Sequence, residues 1–341
     1  MARDSRAFIC GCKGVALDAD ERAFMARHQP WGFILFKRNV GTPAQTAALV
    51  QSFREIVDRA DAPVLIDQEG GRVQRMGPPF WPKYPAAARF ASLADRGRAE
   101  QVELARLSAR LMAIDLAGVG VNVDCLPVLD VPAPDGHNII GDRAYADDPA
   151  SVAMFGRAVA DGLIEGGVLP VMKHVPGHGR AGADSHLELP VVHADLASLV
   201  AADFAPFRAL RDLPMAMTAH VVYTALDPQR PATTSALVIR DVIRGLIGFD
   251  GLLLSDDLSM QALAGGFAER AAAAFAAGID IALHCNGDLA EASGVAEVSP
   301  VLAGRSQDRA LAALDRLTGA GLGFDPVEAR ARIELALAAT G

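Results

Sequence analysis

The sequence has few lysines, few cysteines and few aromatic residues. Only four of its 32 basic residues are lysines, and its 41 acidic residues give a formal net charge of -9. This balance excludes a general affinity for nucleic acid or anionic lipid, although it leaves room for a local basic pocket. The cysteines are Cys10, Cys12, Cys125 and Cys285. Because no second close pair accompanies Cys10 and Cys12, we expect reduced thiols and no structural zinc site.

Targeting and membrane signals are also absent from the sequence. The opening residues, MARDSRAFICGCKG, carry no long apolar stretch with a small-residue cleavage site. No uncharged apolar run reaches the ~18 residues of a membrane span. We therefore expect a cytoplasmic protein without membrane partners. No G-x-G-x-x-G motif follows an early strand-like run, so a doubly wound dinucleotide-binding sheet is not indicated.

What the sequence does contain is a regular alternation of apolar runs and amphipathic helical segments. Seven strand-like runs cover 31–36, 62–68, 119–131, 168–175, 215–221, 251–257 and 279–285, with a weaker eighth around 295–302. Helical periodicity is clearest at 43–60, 99–118 and 149–167. Seven or eight such units predict an α/β fold, the (β/α)8 TIM barrel, and we expect a single domain over residues 1–341.

The segment richest in chemistry is KHVPGHGRAGADSH, from Lys173 to His186. Asp184 and His186 stand two apart, so in an extended loop the carboxylate can orient the imidazole as an acid/base dyad. A solvated polar loop is the alternative. A metal site is a third hypothesis, although the spacing of its four candidate ligands matches no zinc signature; these are His174, His178, Asp184 and His186.

The run LLLSDDLSM places Asp256 directly after an apolar strand, at the predicted rim of the barrel. A carboxylate at this position can act as the nucleophile of a glycosidase if a partner acid protonates the leaving oxygen. Alternatively, Asp256 or Asp257 could cap the N-terminus of the following helix, which is a common role for Asp between a strand and a helix.

A further polar segment, LIDQEGGRVQRM, places Asp67 at a strand end, with Glu69 beside it and Arg75 after a Gly-Gly turn. Asp67 can accept two sugar hydroxyls. The hydrogen-bond donors for the sugar hydroxyls could be completed by Arg75 or Arg143, together with Lys173 and His174. The alternative interpretation is that these residues form surface salt bridges. Four acids suit a neutral polyol better than a polyanion: Asp67, Asp124, Asp130 and Asp256.

Together, LIDQEGGRVQRM, IIGDRAYADDP, KHVPGHGRAGADSH, AMTAHVVY and LLLSDDLSM resemble the bacterial β-N-acetylglucosaminidases of glycoside hydrolase family 3 that act in peptidoglycan recycling. The motifs match in order and spacing over about residues 5–290. The resemblance implies a retaining exo-glycosidase that cleaves N-acetylglucosamine from 1,6-anhydro-N-acetylmuramic acid, with or without its peptide. It implies no metal and no organic cofactor. The partner is then a small-molecule muropeptide or N-acetylglucosaminide, and we expect a monomer.

The resemblance also implies a role for each site residue. Asp256 is the nucleophile, His186 is the general acid/base, and Asp184 holds and tunes His186. The terminal N-acetylglucosamine is bound by Asp67, Arg75, Arg143, Lys173 and His174. One departure concerns the residues after P-G-H-G, where many relatives have Asp-Thr and this chain has Arg180 and Ala181. Because Asp184 and His186 are intact, we predict that the loop still closes.

Three other functions fit part of the same pattern. A phosphorylase of the same family would use phosphate in place of water and release a sugar 1-phosphate. An isomerase or aldolase would form a Schiff base with Lys173, but this leaves Asp256 without a role. A non-catalytic muropeptide-binding protein would keep the sugar site without turnover.

Overall fold

The computed structural model describes residues 5–93, 96–133, 138–183, 185, 188–317 and 324–338. Eight parallel strands close into a barrel, in which β1 pairs with both β2 and β8. In chain order they are β1 (Arg6–Cys10), β2 (Pro30–Leu35), β3 (Val64–Ile66), β4 (Val123–Asp124), β5 (Leu169–Val175), β6 (Met215–Thr218), β7 (Leu252–Asp257) and β8 (Ile281–His284). Two small sheets lie outside the barrel: Gln68–Gly70 with Val73–Gln74, and Val191–Val192 with Val222–Tyr223. The predicted (β/α)8 fold is confirmed.

Helices connect the strands and surround the barrel. The α-helices are α1 (Ala19–His28), α2 (Pro43–Val57), α3 (Ala88–Ala91), α4 (Gly97–Ala117), α5 (Pro149–Glu165), α6 (Leu196–Ser198), α7 (Ala205–Ala209), α8 (Phe267–Ala277), α9 (Leu289–Val298), α10 (Gly304–Leu314) and α11 (Pro326–Ala338). Leu199–Asp203 and Val238–Leu246 are π-helical. Short 3-10 turns occupy Lys37–Asn39, Gly141–Arg143 and Ala232–Thr234. No helix among the described residues is long and apolar enough to cross a bilayer.

The three clearest helix predictions correspond to α2, α4 and α5, and local sequence explains where two of these begin. The side chains of Thr42 and Asp148 each accept a hydrogen bond from the backbone N–H three residues further on. A proline follows each cap, at a position where a helix needs no N–H donor.

The eighth strand was predicted in the wrong place. It is β1, near the N-terminus, whereas the first half of the weak run around 295–302 belongs to helix α9. The reason is local: the Asp288 side chain accepts hydrogen bonds from the backbone of Ala290 and Glu291, which starts a helix there. The end of that run does contact β1, because the N–H of Ala7 donates to the carbonyl of Pro300 at 2.9 Å.

Alternate side chains of the strands fill the barrel, as the two-residue period of a strand requires. One buried cluster contains the inward-facing residues Ile9, Ile34, Leu65, Val171, Met217, Leu254 and Leu283. Their neighbours, such as Phe8, Phe33 and Ile66, pack in a second cluster together with helix residues. Because the interior is filled with apolar side chains, a ligand meets the barrel at its rim.

Candidate active site

A cavity of about 340 Å³ opens at the C-terminal rim of the barrel. Its wall comes from residues that end or follow several different strands, as expected for an active site on this fold. The predicted site residues that line it are Asp67, Arg75, Arg143, Lys173, His174 and Asp256. The other two, Asp184 and His186, lie outside the described residues. Ser185, which stands between them in the sequence, is described and lines the cavity.

Lys173 is the centre of a buried ion-pair network in the cavity wall. Its Nζ lies 2.8 Å from Oδ1 of Asp67 and 2.6 Å from Oε1 of Glu69. Nη2 of Arg75 lies 2.9 Å from Oδ2 of Asp67, and Arg143 donates to both oxygens of Glu69 at 2.7 and 2.8 Å. The side chains of Lys173 and Arg143 are 3% and 11% exposed, so the surface-salt-bridge interpretation is wrong for both.

The network keeps its members charged, because the ion pairs outweigh burial. Burial raises the pKa of Asp67, but Lys173 and Arg75 hold it well below its usual range. Burial also raises the pKa of Glu69, and Lys173 with Arg143 lowers it to about 2. For Lys173, burial lowers the pKa, while Asp67 and Glu69 raise it above its usual value. A protonated amine does not attack a carbonyl, so this arrangement disfavours a Schiff base at Lys173.

These depressed pKa values of Asp67 and Glu69 predict an acid-sensitive fold. A carboxyl whose pKa is lowered by folding stabilises the folded state above its unfolded pKa, near 4, and loses that contribution as the pH falls through its folded value. We expect the free energy of unfolding, from urea titrations, to fall by about 3 kcal/mol or more between roughly pH 5 and pH 2. In the Glu69→Gln variant, we expect the free energy of unfolding to fall less over the same pH range. A profile that stays level down to pH 3 would contradict the network.

Asp130 positions His174 at the cavity wall. Its Oδ2 lies 2.7 Å from Nδ1 of His174, and its Oδ1 accepts hydrogen bonds from the backbone amides of His174 and His178. Burial raises the pKa of Asp130, but the contacts with His174 lower it to about 2, so the carboxylate is ionised. It therefore holds the proton on Nδ1 of His174 and leaves Nε2 for a ligand. Lys173 and His174 are joined by a cis peptide bond, and both side chains line the cavity.

His178 also lines the cavity, although the sequence suggested it only as a metal ligand. Its ring meets that of His174 edge-on, with 5.7 Å between the ring centroids. Burial lowers the pKa of His178 to about 4, so the ring is neutral near neutral pH. Within the described parts of the chain, no group of three or more His, Cys, Asp or Glu residues is placed to hold a metal ion. Two of the four hypothesised ligands, Asp184 and His186, lie outside those parts.

Asp256 and Asp257 have different surroundings at the end of β7. Asp256 is 6% exposed in the cavity wall, and its Oδ1 accepts a hydrogen bond from the N–H of Asp257 at 2.8 Å. Asp257 stabilises the chain that follows β7. Its carboxylate accepts hydrogen bonds from the N–H and hydroxyl of Ser259 and from the N–H of Cys285. The N-cap interpretation is wrong for both aspartates, because the next helix, α8, begins only at Phe267.

Arg180 and Ala181, the departure from the family pattern, anchor the segment after β5. Nε of Arg180 donates to Oδ2 of Asp203 at 2.6 Å, and the Asp203 side chain is 2% exposed. Ala181 is buried in the core around the second half of the barrel. Gly177 has a φ of +136°, and a Cβ there would lie 3.0 Å from the Cβ of Asp203, so this contact requires glycine. The segment is thereby fixed to the π-helical turn Leu199–Asp203. Closure of the loop over the cavity stays a prediction.

Sequence reasoning assigned no individual role to Glu69 or Asp130. The position of Glu69 could have been inferred from its spacing. Asp67 and Glu69 stand two residues apart after a strand, and side chains at that spacing in an extended segment point to the same face. For Asp130 no local pattern was available, because its partners His174 and His178 are 44 and 48 residues away.

Comparisons with known proteins agree on one family. The profile of the Glycosyl hydrolase family 3 N terminal domain matches residues 11–318. A Beta-hexosaminidase of Methylococcus capsulatus is 40% identical over 305 residues, which cover 88% of this chain and 89% of the relative. Native NagZ from Neisseria gonorrhoeae has a TM-score of 0.84 at 31% identity, covering 98% of this chain and 96% of that one. NagZ from the same organism in complex with N-trifluoroacetyl-D-glucosamine has a TM-score of 0.88 at 29% identity, covering 98% of each chain.

Proposed function

The chain belongs to glycosyl hydrolase family 3, and from this membership we propose that it removes terminal N-acetylglucosamine from 1,6-anhydro-N-acetylmuramic acid muropeptides in cell-wall recycling. It is a glycoside hydrolase of the β-N-acetylhexosaminidase type. The proposal makes it an exo-acting, retaining enzyme that works in the cytoplasm as a monomer, with residues 1–341 as one domain.

The observation that carries the proposal is the single cavity that both Asp256 and the Lys173 network line. Its volume of about 340 Å³ is at the lower end of the range of roughly 300–1,000 Å³ for small-molecule sites. A site of this size favours one terminal sugar over an extended glycan, which supports exo action. The charged groups of the network, Asp67 and Arg75 among them, are already neutralised by one another, so they can bind sugar hydroxyls without selecting an ionic ligand.

In the proposed mechanism, Asp256 attacks the anomeric carbon as the glycosidic bond breaks. Protonated His186 donates its proton to the departing oxygen, and a covalent glycosyl ester of Asp256 results. Neutral His186 then takes a proton from water, whose oxygen displaces Asp256 and releases the sugar with its original anomeric configuration. Asp184 orients His186, whose unperturbed pKa near 6.5 makes both protonation states accessible at neutral pH. The N–H of Asp257 fixes the orientation of the Asp256 carboxylate.

The experiment that tests this function compares three substrates. We expect turnover of 4-nitrophenyl N-acetyl-β-glucosaminide and of the disaccharide of N-acetylglucosamine with 1,6-anhydro-N-acetylmuramic acid, and none of 4-nitrophenyl β-glucoside. Phosphate should change neither the rate nor the products. N-acetylglucosamine 1-phosphate formed only when phosphate is present would favour the phosphorylase instead, and failure to cleave the disaccharide would contradict the recycling role.

We expect His186→Ala to lower kcat for the disaccharide by about 10²-fold, because its alcohol leaving group needs a proton from the general acid. The loss in the glycosylation step should be smaller for a 2,4-dinitrophenyl glycoside, whose leaving group departs without protonation. Pre-steady-state kinetics would separate this step from the hydrolysis of the intermediate. His193→Ala is the matched control, since His193 is exposed and is not among the residues that line the cavity. Equal losses on both substrates would argue against acid catalysis by His186.

A further inference from the structure

A second cavity, of about 490 Å³, adjoins the candidate active site. We call it the lysine groove; the lining residues that matter here are Lys37, Thr42, Gln45, Arg75, Phe80 and Lys83. Arg75 lines both cavities and thus forms the boundary between them. Lys37 follows β2 and residues 71–83 follow β3, so the lysine groove lies on the same C-terminal face of the barrel as the active site.

The lysine groove is positively charged although the protein as a whole is acidic. The described residues that line it include three cations and no carboxylate. Two of those cations, Lys37 and Lys83, are half of the lysines in the whole chain, and neither forms an ion pair with any other described residue. The active-site cavity differs, because its cations face four carboxylates: Asp67, Glu69, Asp256 and Asp257. Of these two cavities, as lined by the described residues, the groove is therefore the one that offers uncompensated partners to an anionic ligand.

The side chain of Gln74 fixes part of the wall of the lysine groove through three hydrogen bonds. Nε2 of Gln74 donates to the carbonyls of Met76 and Pro82 at 2.6 and 2.7 Å, and Oε1 accepts a hydrogen bond from the N–H of Tyr84 at 2.9 Å. These contacts close the segment 76–84 into a fixed turn that carries Lys83. A wall of this kind presents its charges without the ordering cost of a free loop.

The mouth of the groove also offers an apolar surface and a helix terminus. Phe80 is 52% exposed and meets the buried Trp81 edge-on, with 6.1 Å between ring centroids. The lining also includes Thr42, the N-cap of the 15-residue helix α2, and Gln45 in its first turn, and the positive end of a helix favours anions. The groove thus combines apolar contact with positive potential.

We propose that the lysine groove binds the peptide carboxylates of the aglycone, with Lys37 and Lys83 as their partners and Phe80 as an apolar contact. This inference rests on the proposed function. If the terminal sugar occupies the active-site cavity, its aglycone emerges at the rim, and Arg75 is the point at which the rim meets the groove. The peptide of a muropeptide is a short chain with free carboxylates, which matches the sign of the charge in the groove.

The test compares the wild type with Lys37→Gln, Lys83→Gln and the double variant. The substrates are 4-nitrophenyl N-acetyl-β-glucosaminide, which has no peptide, and the muropeptide disaccharide carrying L-Ala-γ-D-Glu. We expect the double variant to raise KM for the peptide substrate by about three- to tenfold, with kcat unchanged and the neutral substrate unaffected. Added salt should reduce the difference between wild type and variant. Lys13→Gln, at an exposed lysine outside the groove, is the control and should match the wild type.

Each contrary result has a distinct meaning. Equal KM values for the peptide substrate in the wild type and the double variant would overturn the lysine groove as its binding site. An equal loss on both substrates would also overturn it, since the lysines would then affect the active site itself. If the wild type turned over the 4-nitrophenyl substrate but not the muropeptide, the proposed function would fail, and the inference with it.

Discussion

Asp256→Asn is expected to lower kcat for 4-nitrophenyl N-acetyl-β-glucosaminide by at least about 10³-fold, with little change in KM. An amide has the shape of the carboxylate, and its oxygen can still accept the hydrogen bond that Asp257 donates to Asp256 at 2.8 Å. It cannot form the glycosyl ester, however, so the loss falls on the chemical step. Stopped-flow and steady-state assays of the purified variant measure the effect.

Asp257→Asn is the matched control, because the two aspartates are adjacent in sequence and both line the cavity. Among the described residues, the Asp257 carboxylate accepts hydrogen bonds from Ser259 and Cys285, and an asparagine can satisfy most of them. We expect a loss of less than about tenfold. If Asp257→Asn were the inactive variant and Asp256→Asn retained activity, the assignment of the nucleophile would be wrong.

Lys173→Met is expected to damage both stability and activity. It removes the cation that lies 2.8 Å from Asp67 and 2.6 Å from Glu69, so that Arg75 and Arg143 are the cations left beside those carboxylates in the described part of the chain. Breaking a buried ion pair by deleting one partner costs about 3–5 kcal/mol. The sugar-binding carboxylates also lose their position, so kcat/KM should fall by at least about 10²-fold. The stability deficit should narrow as the pH falls towards 4, where protonation of the carboxylates relieves their burial.

The control for this variant is Arg106→Gln. Arg106 also contacts two carboxylates, those of Glu103 and Glu165, but its side chain is 30% exposed. Water screens such a pair, and we expect Arg106→Gln to lower the free energy of unfolding by less than about 1 kcal/mol. Urea titrations of both variants make the comparison. A Lys173→Met protein as stable as Arg106→Gln would show that the buried network does not hold the site together.

The barrel could be predicted because its strands and helices have strong, contrasting hydrophobic periods. The exception was β1, whose five residues, RAFIC, begin with an arginine and are too few to establish a period. Its assignment depends on pairing with β2 and with β8, which lies more than 270 residues further along the chain. Such pairing is a property of the closed barrel and has no local signature.

The positions of the site residues could be predicted from the rule that strand ends meet at one rim, but their partners could not. Lys173 and Asp67 are separated by 106 residues, and Arg143 and Glu69 by 74. Asp124 shows the limit clearly. It was grouped with the polyol-binding acids, but it is fully buried outside the cavity wall, where its Oδ1 accepts a hydrogen bond from the N–H of Gln68. Burial raises the pKa of Asp124 well above its usual value.

The most direct test of Asp256 as the nucleophile is to trap the proposed glycosyl ester. A 5-fluoro derivative of N-acetyl-β-glucosaminyl fluoride slows both steps of a retaining reaction and lets the intermediate accumulate for peptide mass mapping. A nucleophilic Asp256 predicts one sugar per chain on the peptide that contains Asp256, the same label in Asp257→Asn, and no label in Asp256→Asn. A label on another residue, or no adduct together with an inverted first product in proton NMR, would contradict it.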